Sequence, residues 1–345
     1  MTYRNPSTAR RRELTQDRVS RVHQPAFLQS VAIGFSNPLL IAERICPTIG
    51  VAKQSDLYRV FGRDTLRTHE TRWAPGTVPN AITARWSSDS YFCELRKLRI
   101  ALTDAERNNS DNDLDLEAKY TEKVTNAIDV GREKRVADMF TTAANYSASH
   151  KIAKAGGSEY DQAAVLSTAQ IILDLQTVAS AIAKDAIVPS SMLSVVIPQP
   201  VYDAAVKNNT AILDRIKYTQ TGVVTTDLLR ALLDVKEVII AQAMYTGSGP
   251  ETADSDVISA YVPTYLWGDS MWVGLVNAGE NEGVPWFART FRWNGETSGA
   301  DRQTRVYRDS DEGTEQDWIE VKEARSEKLS FADAGGLITN CLSTM

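Results

Sequence analysis

The sequence predicts an α+β fold in which an N-terminal arm, an extended β-hairpin, a long spine helix, a central α/β unit and a β-rich terminal part follow one another. Three observations lead there. Strand-favouring runs between residues 57 and 102 flank a Pro/Gly turn, a helical periodicity extends over about thirty residues from 113, and β-favouring runs recur after residue 272. The chain has 345 residues, enough for one large or two medium domains, and 43% are hydrophobic, enough for a sizeable core without metals or disulfides.

Taken in order, residues 1–22 carry Arg4, Arg10, Arg11, Arg12, Arg18 and Arg21 against Glu13 and Asp17. That surplus of +4 leaves about −10 for the rest of a chain whose formal charge is −6. A basic arm on an acidic body suggests contact with nucleic acid or with an acidic neighbouring subunit; a solvated flexible tail is the alternative. The arm is expected to be held by a partner surface. Residues 23–52 hold two short apolar runs, Phe27–Ile33 and Leu39–Ala42, broken at Asn37-Pro38 and Cys46-Pro47. They are too short to form a domain and are expected to continue the arm and dock elsewhere.

The hairpin follows. Leu57–Phe61 alternates and ends at Gly62, and Thr83–Trp86 and Tyr91–Leu95 are β-favouring. Between them lies the turn Trp73-Ala74-Pro75-Gly76-Thr77-Val78-Pro79-Asn80. A hairpin of this kind is marginal alone and needs the body or another chain to lie on. The breaker Asn108–Asp113 then caps a helix over 113–144, whose stripe is read as Tyr120, Val124, Ala127 and Gly131, with Val136, Met139 and Phe140 after a small phase shift. Thirty residues of helix span about 45 Å, more than a usual globular helix. The heptad is not sustained, which argues against a coiled coil.

After Ala155–Ser158, a second helix is predicted over 161–184, with Val165, Ile172, Leu175 and Ala179 on one face. Leu193–Ile197 reads as a buried strand, Val201–Val206 as a helix starting at Pro200, Thr225–Leu233 as a capped helix and Val238–Ala241 as a strand, a compact β–α–α–β unit. The remaining candidate strands are Trp272–Val276, Ala288–Trp293, Thr304–Tyr307, Trp318–Val321 and Gly335–Asn340. The tryptophans are expected mainly in sheet cores. Trp73, beside the Pro/Gly tip, with Arg72 and Pro75, is a candidate inter-subunit anchor.

A search for chemistry comes out nearly empty. The sequence has no phosphate-cradling glycine loop, no GxSxG and no HExxH, and Gly247-Ser248-Gly249 reads as a plain turn. His23, His69 and His150 lie far apart, so a metal or triad built on them needs distant segments to converge. Asp111, Asp113 and Asp115, with Glu122 twelfth, resemble a calcium loop, but Leu116 stands where the turn needs glycine, and a helix start explains the acids better. Cys46, Cys93 and Cys341 form no CxxC pair or Cys/His cluster, so neither zinc nor a disulfide framework is expected. No run of about 18 apolar residues predicts a membrane span, and the N-terminus does not read as a secretory signal. No catalytic, metal or cofactor site is expected.

Tyr58-Arg59-Val60-Phe61-Gly62-Arg63 opens the hairpin and Leu98-Arg99-Ile100-Ala101-Leu102-Thr103-Asp104 closes it into the spine. Val196-Ile197-Pro198 precedes a helix, and Tyr265-Leu266-Trp267-Gly268 and Arg289-Thr290-Phe291-Arg292-Trp293 come later. In this order and spacing the parts resemble the Hong Kong 97-type major capsid proteins of tailed phages over nearly the whole chain. The resemblance implies a Hong Kong 97-like capsid fold with an N-arm (1–55), an E-loop hairpin (56–105), a P-domain (106–160 and 285–345) and an A-domain (161–284). It implies a structural protein, not an enzyme, that self-assembles as a homo-oligomer of pentamers and hexamers into an icosahedral phage head around double-stranded DNA, held by non-specific contact. Scaffolding, portal and cement proteins are the expected partners, the virion the expected location, and the host cytoplasm the place of assembly. Some members crosslink E-loop lysines, but this hairpin has no lysine between Gln54 and Lys97, so crosslinking is not carried over. Cleavage of an N-terminal scaffolding segment is not expected either, there being no coiled-coil leader. Alternatives are an encapsulin-like nanocompartment shell, a hydrolase or transferase with a β-rich accessory domain, and a tail or adhesion protein.

Overall fold

In the computed structural model, residues 28, 30–32, 37–60, 71–81, 87–109, 113–216, 224–246, 263–276, 286–295, 301–309 and 315–343 are described. Along the chain run helix α1 (Ala42–Ile45), strands β1 (Thr48–Val51), β2 (Ser55–Val60), β3 (Ser87–Phe92) and β4 (Glu94–Thr103), and helices α2 (Asp104–Asn108) and α3 (Asp113–Thr141). Then come β5 (Lys151–Ala153), α4 (Gln170–Ala186), β6 (Leu193–Pro198), α5 (Thr210–Ile216), α6 (Thr226–Leu233), β7 (Glu237–Ala241), β8 (Met244–Thr246) and β9 (Pro263–Tyr265). Strands β10 (Met271–Leu275), β11 (Ala288–Trp293), β12 (Gln303–Arg308), β13 (Gln316–Leu329) and β14 (Gly335–Thr339) complete it. Helices and sheets are mixed as the α+β reading predicts. Among the described residues no helix is long and apolar enough to cross a membrane.

Two five-stranded sheets dominate. In the first, β13 is the shared strand: β4 pairs with it antiparallel from Thr103↔Gln316 to Glu94↔Arg325. β12 and β11 occupy its other edge, one beyond the other, and β1 joins β11 in parallel. The second sheet has the order β5-β14-β10-β6-β7. Its β6–β7 pair is parallel, as a β–α–α–β crossover requires. Strands β5 and β14, from the segments expected to go with the spine and the terminal strands, hydrogen-bond within this central sheet. Close backbone approach explains the glycines of β14: a Cβ on Gly336 would stand 2.3 Å from a Val178 methyl.

The long helix α3 reaches both sheets. Near its C-terminus Phe140, fully buried, lies 4.8 Å from Trp272, 5.0 Å from Phe287 and 5.9 Å from Trp267 between ring centroids, each edge-on. Its N-terminal half packs Val124 and Ile128 on Val321 and Ile100 of the first sheet. The stripe read from apolar residues is only partly the buried one, since Ala127 is exposed. The true stripe interleaves Val124, Ile128 and Val136 with Glu117, Thr121, Thr125, Arg132 and Glu133, all buried. Periodicity of apolar residues alone misses it because half of the buried face is polar.

That polar half meets charges on β13, which explains another correction. The sequence marks only 318–321 of this 14-residue strand, because Glu323, Arg325 and Glu327 occupy its helix-facing side where apolar residues were sought. Arg135 pairs with Glu327 at 3.1 Å and Glu323 at 3.5 Å; Arg107 bridges Asp317 at 2.8 Å and Glu117 at 2.9 Å. Arg132 pairs with Glu43, and Arg302 with Asp129. Burial drives the Glu43 carboxyl upward, but the charge and hydrogen bond of Arg132 outweigh it and hold Glu43 below the usual carboxylate range.

The apolar run at 39–42 docks on the chain's own body. Ile41, Ala42, Ile45 and Cys46 join the main core. The amides of Ile41 and Ala42 donate to Glu133 at 3.0 and 2.7 Å, and the indole of Trp267 donates to its other oxygen at 2.8 Å. Burial pushes the Glu133 carboxyl above its ordinary value, a rise those three donors oppose.

Three local expectations change. The helix predicted over 161–184 is a turn at Ala163–Leu166 followed by α4; Ser167 and Thr168 bond back to the carbonyls of Ala164 and Val165 and end the first turn. The helix from Pro200 passes into a π-turn, Lys207 N–H reaching Tyr202 C=O at 3.0 Å. Helix α2, not foreseen, rests on a capping box between Thr103 and Glu106 that was present in the sequence as Thr-x-x-Glu. The Thr225 cap of α6 is as expected.

Two outcomes test this packing. Phe140→Ala removes the ring shared by three aromatic neighbours and is expected to cost about 3–5 kcal/mol in urea unfolding; a loss under about 1 kcal/mol would show that the site collapses to fill the gap. Glu133→Ala leaves three buried N–H donors without an acceptor, at roughly 1–3 kcal/mol for each such group. Its amides at Ile41 and Ala42 should lose hydrogen-exchange protection ahead of the global core, and wild-type protection there would contradict the assigned role.

Candidate functional site

The hairpin is built from β2 and β3, paired antiparallel from Ser55↔Phe92 to Val60↔Ser87. The run read as one strand over Tyr91–Leu95 is divided at Cys93, which is buried and donates its amide to Gln54 C=O at 2.8 Å. Before it the chain belongs to the hairpin, and after it to the first sheet.

The root of the hairpin is clamped to that sheet by aromatic side chains. Tyr91 stacks on Phe291 at 4.5 Å, and Tyr58 packs on the same ring at 5.2 Å. The Tyr58 hydroxyl lies 2.7 Å from the carbonyl of Leu329 and 3.1 Å from Asp89. Burial, then the Asp89 charge, pushes the Tyr58 phenol well up, so it stays a neutral donor at any ordinary pH.

The expected site residues at the tip lie together. Arg72, Trp73 and Pro75 are all exposed, as is every residue from 71 to 81. Thr77 N–H donates to Ala74 C=O at 3.1 Å with Gly76 at φ +90°, so Pro75 and Gly76 hold the two central positions of a tight turn for which their types are suited. The Trp73 indole N–H is bound within the turn, to Thr77 C=O at 2.6 Å, which leaves its apolar rings outward. The arm arginines Arg4, Arg10, Arg11 and Arg12 lie outside the described residues, as do His23, His69, Trp86 and Gly247–Gly249.

Apolar exposure concentrates on this part of the chain. Val78 is 92% exposed, Leu57 68%, Phe92 56% and Trp73 55%, and Leu95 and Leu98 on β4 are also open. By contrast Trp267, Trp272 and Trp286 are buried, as expected of core tryptophans. One face of the first sheet turns away from α3. It carries Lys97 and Arg99 on β4, Lys322 on β13 and Arg305 on β12 in neighbouring register, with Glu320 among them. Arg99 lies over the Trp318 ring at 4.0 Å. That face is basic although the chain as a whole is acidic.

A cavity of about 240 Å³ opens where residues 37–43, α3 and β13 meet. Its described lining holds Glu43, Asp129, Glu133 and Asp301 with Arg132, Arg302 and Arg325, and no hydroxyl, thiol or imidazole. The guanidiniums are paired: Arg325 with Asp301 at 2.5 Å, in addition to the pairs above. The arrangement orders the arm segment against the spine.

No protein-family model matches the chain. It is 24% identical over 246 residues to a major capsid protein of Burkholderia phage BcepMu, covering 68% of this chain and 75% of that one. The crystal structure of a phage-related protein from Bordetella bronchiseptica RB50 superposes with a TM-score of 0.71 at 20% identity, over 93% of this chain and 98% of the other. The capsid structure of the cyanophage P-SCSP1u gives a TM-score of 0.58 at 12% identity, over 87% of each chain. The chain is thus similar in sequence to a phage major capsid protein, and its fold is the α+β, Hong Kong 97-like fold of phage capsid proteins.

Proposed function

We propose that this chain is the structural shell subunit of a phage head, assembling into pentamers and hexamers that close an icosahedral capsid around double-stranded DNA. The observation that carries the reading is the hairpin: its root is clamped by Tyr58 and Tyr91 while its tip presents Trp73 and Val78 to solvent. Apolar side chains held outward on an anchored projection are stabilised when a second copy covers them. The likeness to phage capsid proteins supports the same reading. Each contact can be weak, since many act together around a closed shell.

In this reading residues 1–55 form the arm, 56–105 the E-loop, 106–160 and 285–345 the P-domain and 161–284 the A-domain. Arg72, Trp73 and Pro75 make the inter-subunit contact. The arm arginines Arg4, Arg10, Arg11 and Arg12 contact packaged DNA or an acidic neighbour, sequence-independently and with strong salt dependence. The subunit assembles in the host cytoplasm with scaffolding, portal and cement partners and ends in the virion. No catalytic step is assigned to it.

The test is a doubly substituted tip, Trp73→Ala with Val78→Ser. Both side chains are exposed in the subunit, so its unfolding free energy should move by less than about 0.5 kcal/mol. Burial of an aliphatic side chain in a contact is worth roughly 1.5–3 kcal/mol. Particle yield should therefore fall at least about tenfold by sedimentation velocity and negative-stain microscopy. Normal shells from this variant would refute the assigned contact, and wild-type protein that stays monomeric at every concentration would refute the shell reading itself.

A further inference from the structure

Strand β4 is hydrogen-bonded to β13 along one edge, and no described residue pairs with its other edge. A groove of about 420 Å³ lies between this strand and α3, lined by Leu95 and Leu98 of β4 and by Ala127, Ile128 and Gly131 of α3. Both leucines are half-exposed, so the subunit alone leaves apolar surface uncovered there. Gly131 indicates that the groove is shaped for an occupant. It stands inside α3, where glycine destabilises a helix relative to alanine. The subunit itself does not require it. Its φ is not positive, and a Cβ would meet only the end of the flexible Arg135 side chain, at 3.7 Å, an ordinary contact. The space that a side chain would fill is left to the groove.

The hairpin tip has the matching features. Residues 73–80 carry no charge. The charged side chains beside the groove already have partners: Arg96 pairs with Glu94, Lys97 with Glu320 at 3.1 Å and Arg135 with Glu327 at 3.1 Å. A charged segment closing over them would bury a charge without a partner, whereas an uncharged one does not. A tryptophan that enters a contact needs an acceptor for its indole N–H. Arg96, Lys97 and Arg135 only donate, but Trp73 has already placed its N–H on the Thr77 carbonyl at 2.6 Å. Its ring is therefore free to be buried against Leu98 and to stack on a guanidinium without leaving a donor unmet. Every residue from 71 to 81 is exposed in the subunit, so the chain's own tip does not fill its own groove.

We propose that the groove between β4 and α3 receives the hairpin tip of a second copy, with Trp73 and Val78 set against Leu98 and Gly131. This rests on the shell reading and adds the surface on which the tip lands. Tip and groove are different patches of one chain, so the contact is heterologous, and copies joined through it propagate until a ring or shell closes. Gly131 is then a specificity residue for assembly, kept at the expense of helix stability. No spacing in the sequence announces the groove, because its walls come from two elements brought together by the fold.

The experiment uses the full-length chain and reads thermal unfolding of the subunit beside particle yield. Gly131→Ala should raise the Tm. Gly131→Leu, whose side chain enters the groove, should fold with a Tm no lower than that of the wild type and yet reduce particle yield at least about tenfold. In a second variant, Val78→Cys with Leu98→Cys, assembled particles are treated with a short bismaleimide; Cys46, Cys93 and Cys341 are buried, so the new thiols react first. Covalent dimers and higher oligomers on a denaturing gel support the contact. Normal shells from Gly131→Leu overturn it, as does a fall in Tm for Gly131→Ala, which would assign the glycine to the subunit's own fold. A crosslink confined to single chains overturns it in favour of the chain's own tip, and particles that yield no crosslink overturn it in favour of another occupant. In each of these cases wild-type shells still form and the shell reading stands, whereas wild-type protein that never assembles defeats both.

Discussion

A buried carboxylate on a helix faces a severe constraint: it must find donors, because water cannot supply them. Glu133 meets it by accepting from the amides of Ile41 and Ala42 and from the Trp267 indole. Three parts of the chain more than a hundred residues apart at their extremes are thereby brought to one side chain. Residues 37–46 gain a fixed place against α3, β1 follows them into register with β11, and Trp267 is oriented beside Phe140. The guanidinium–carboxylate pairs around Arg132, Arg135, Arg302 and Arg325 extend the same logic along the helix–β13 interface. Such pairs contribute little net stability against an apolar interface of equal volume. They do impose one register, since a shifted helix would leave each charge alone.

This explains what the sequence could and could not reveal. Elements with an apolar signature were legible: β6 and β7, the Thr225-capped helix, the strands at 271–275 and 288–293, and the long helix itself. The turn at the hairpin tip was legible because Pro75 and Gly76 have few conformational alternatives. The buried face of α3 and two-thirds of β13 were not, because their inward residues are glutamate, arginine and threonine, which patterning assigns to solvent. The break in the helix before α4 was hidden for a related reason: Ser167 and Thr168 tolerate a helix and stop this one only through their own side-chain bonds. The candidate contact at Arg72, Trp73 and Pro75 could be named from residue type, whereas the aromatic clamp on Phe291 required knowing that residue 291 lies beside 58 and 91.

The hairpin and the first sheet divide the work of presenting a surface. Phe291 receives Tyr58 and Tyr91 and fixes the root, so Leu57 and Phe92, exposed on β2 and β3, are offered from a set position. This limits the ordering entropy that a contact would otherwise cost. The basic face of the same sheet lies on the side away from α3, and the acidic surplus lies elsewhere on the chain.

The division at Cys93 has a mechanical meaning. The strand that leaves the hairpin continues as β4, whose ten residues are all registered with β13. A pull along β4 from its first residue loads that ladder in shear, so its hydrogen bonds resist together instead of opening one after another. Because β13 also holds β11 and β12, tension entering through one projection is distributed over three strands. A load placed on the hairpin is thus carried by a sheet pulled along its length.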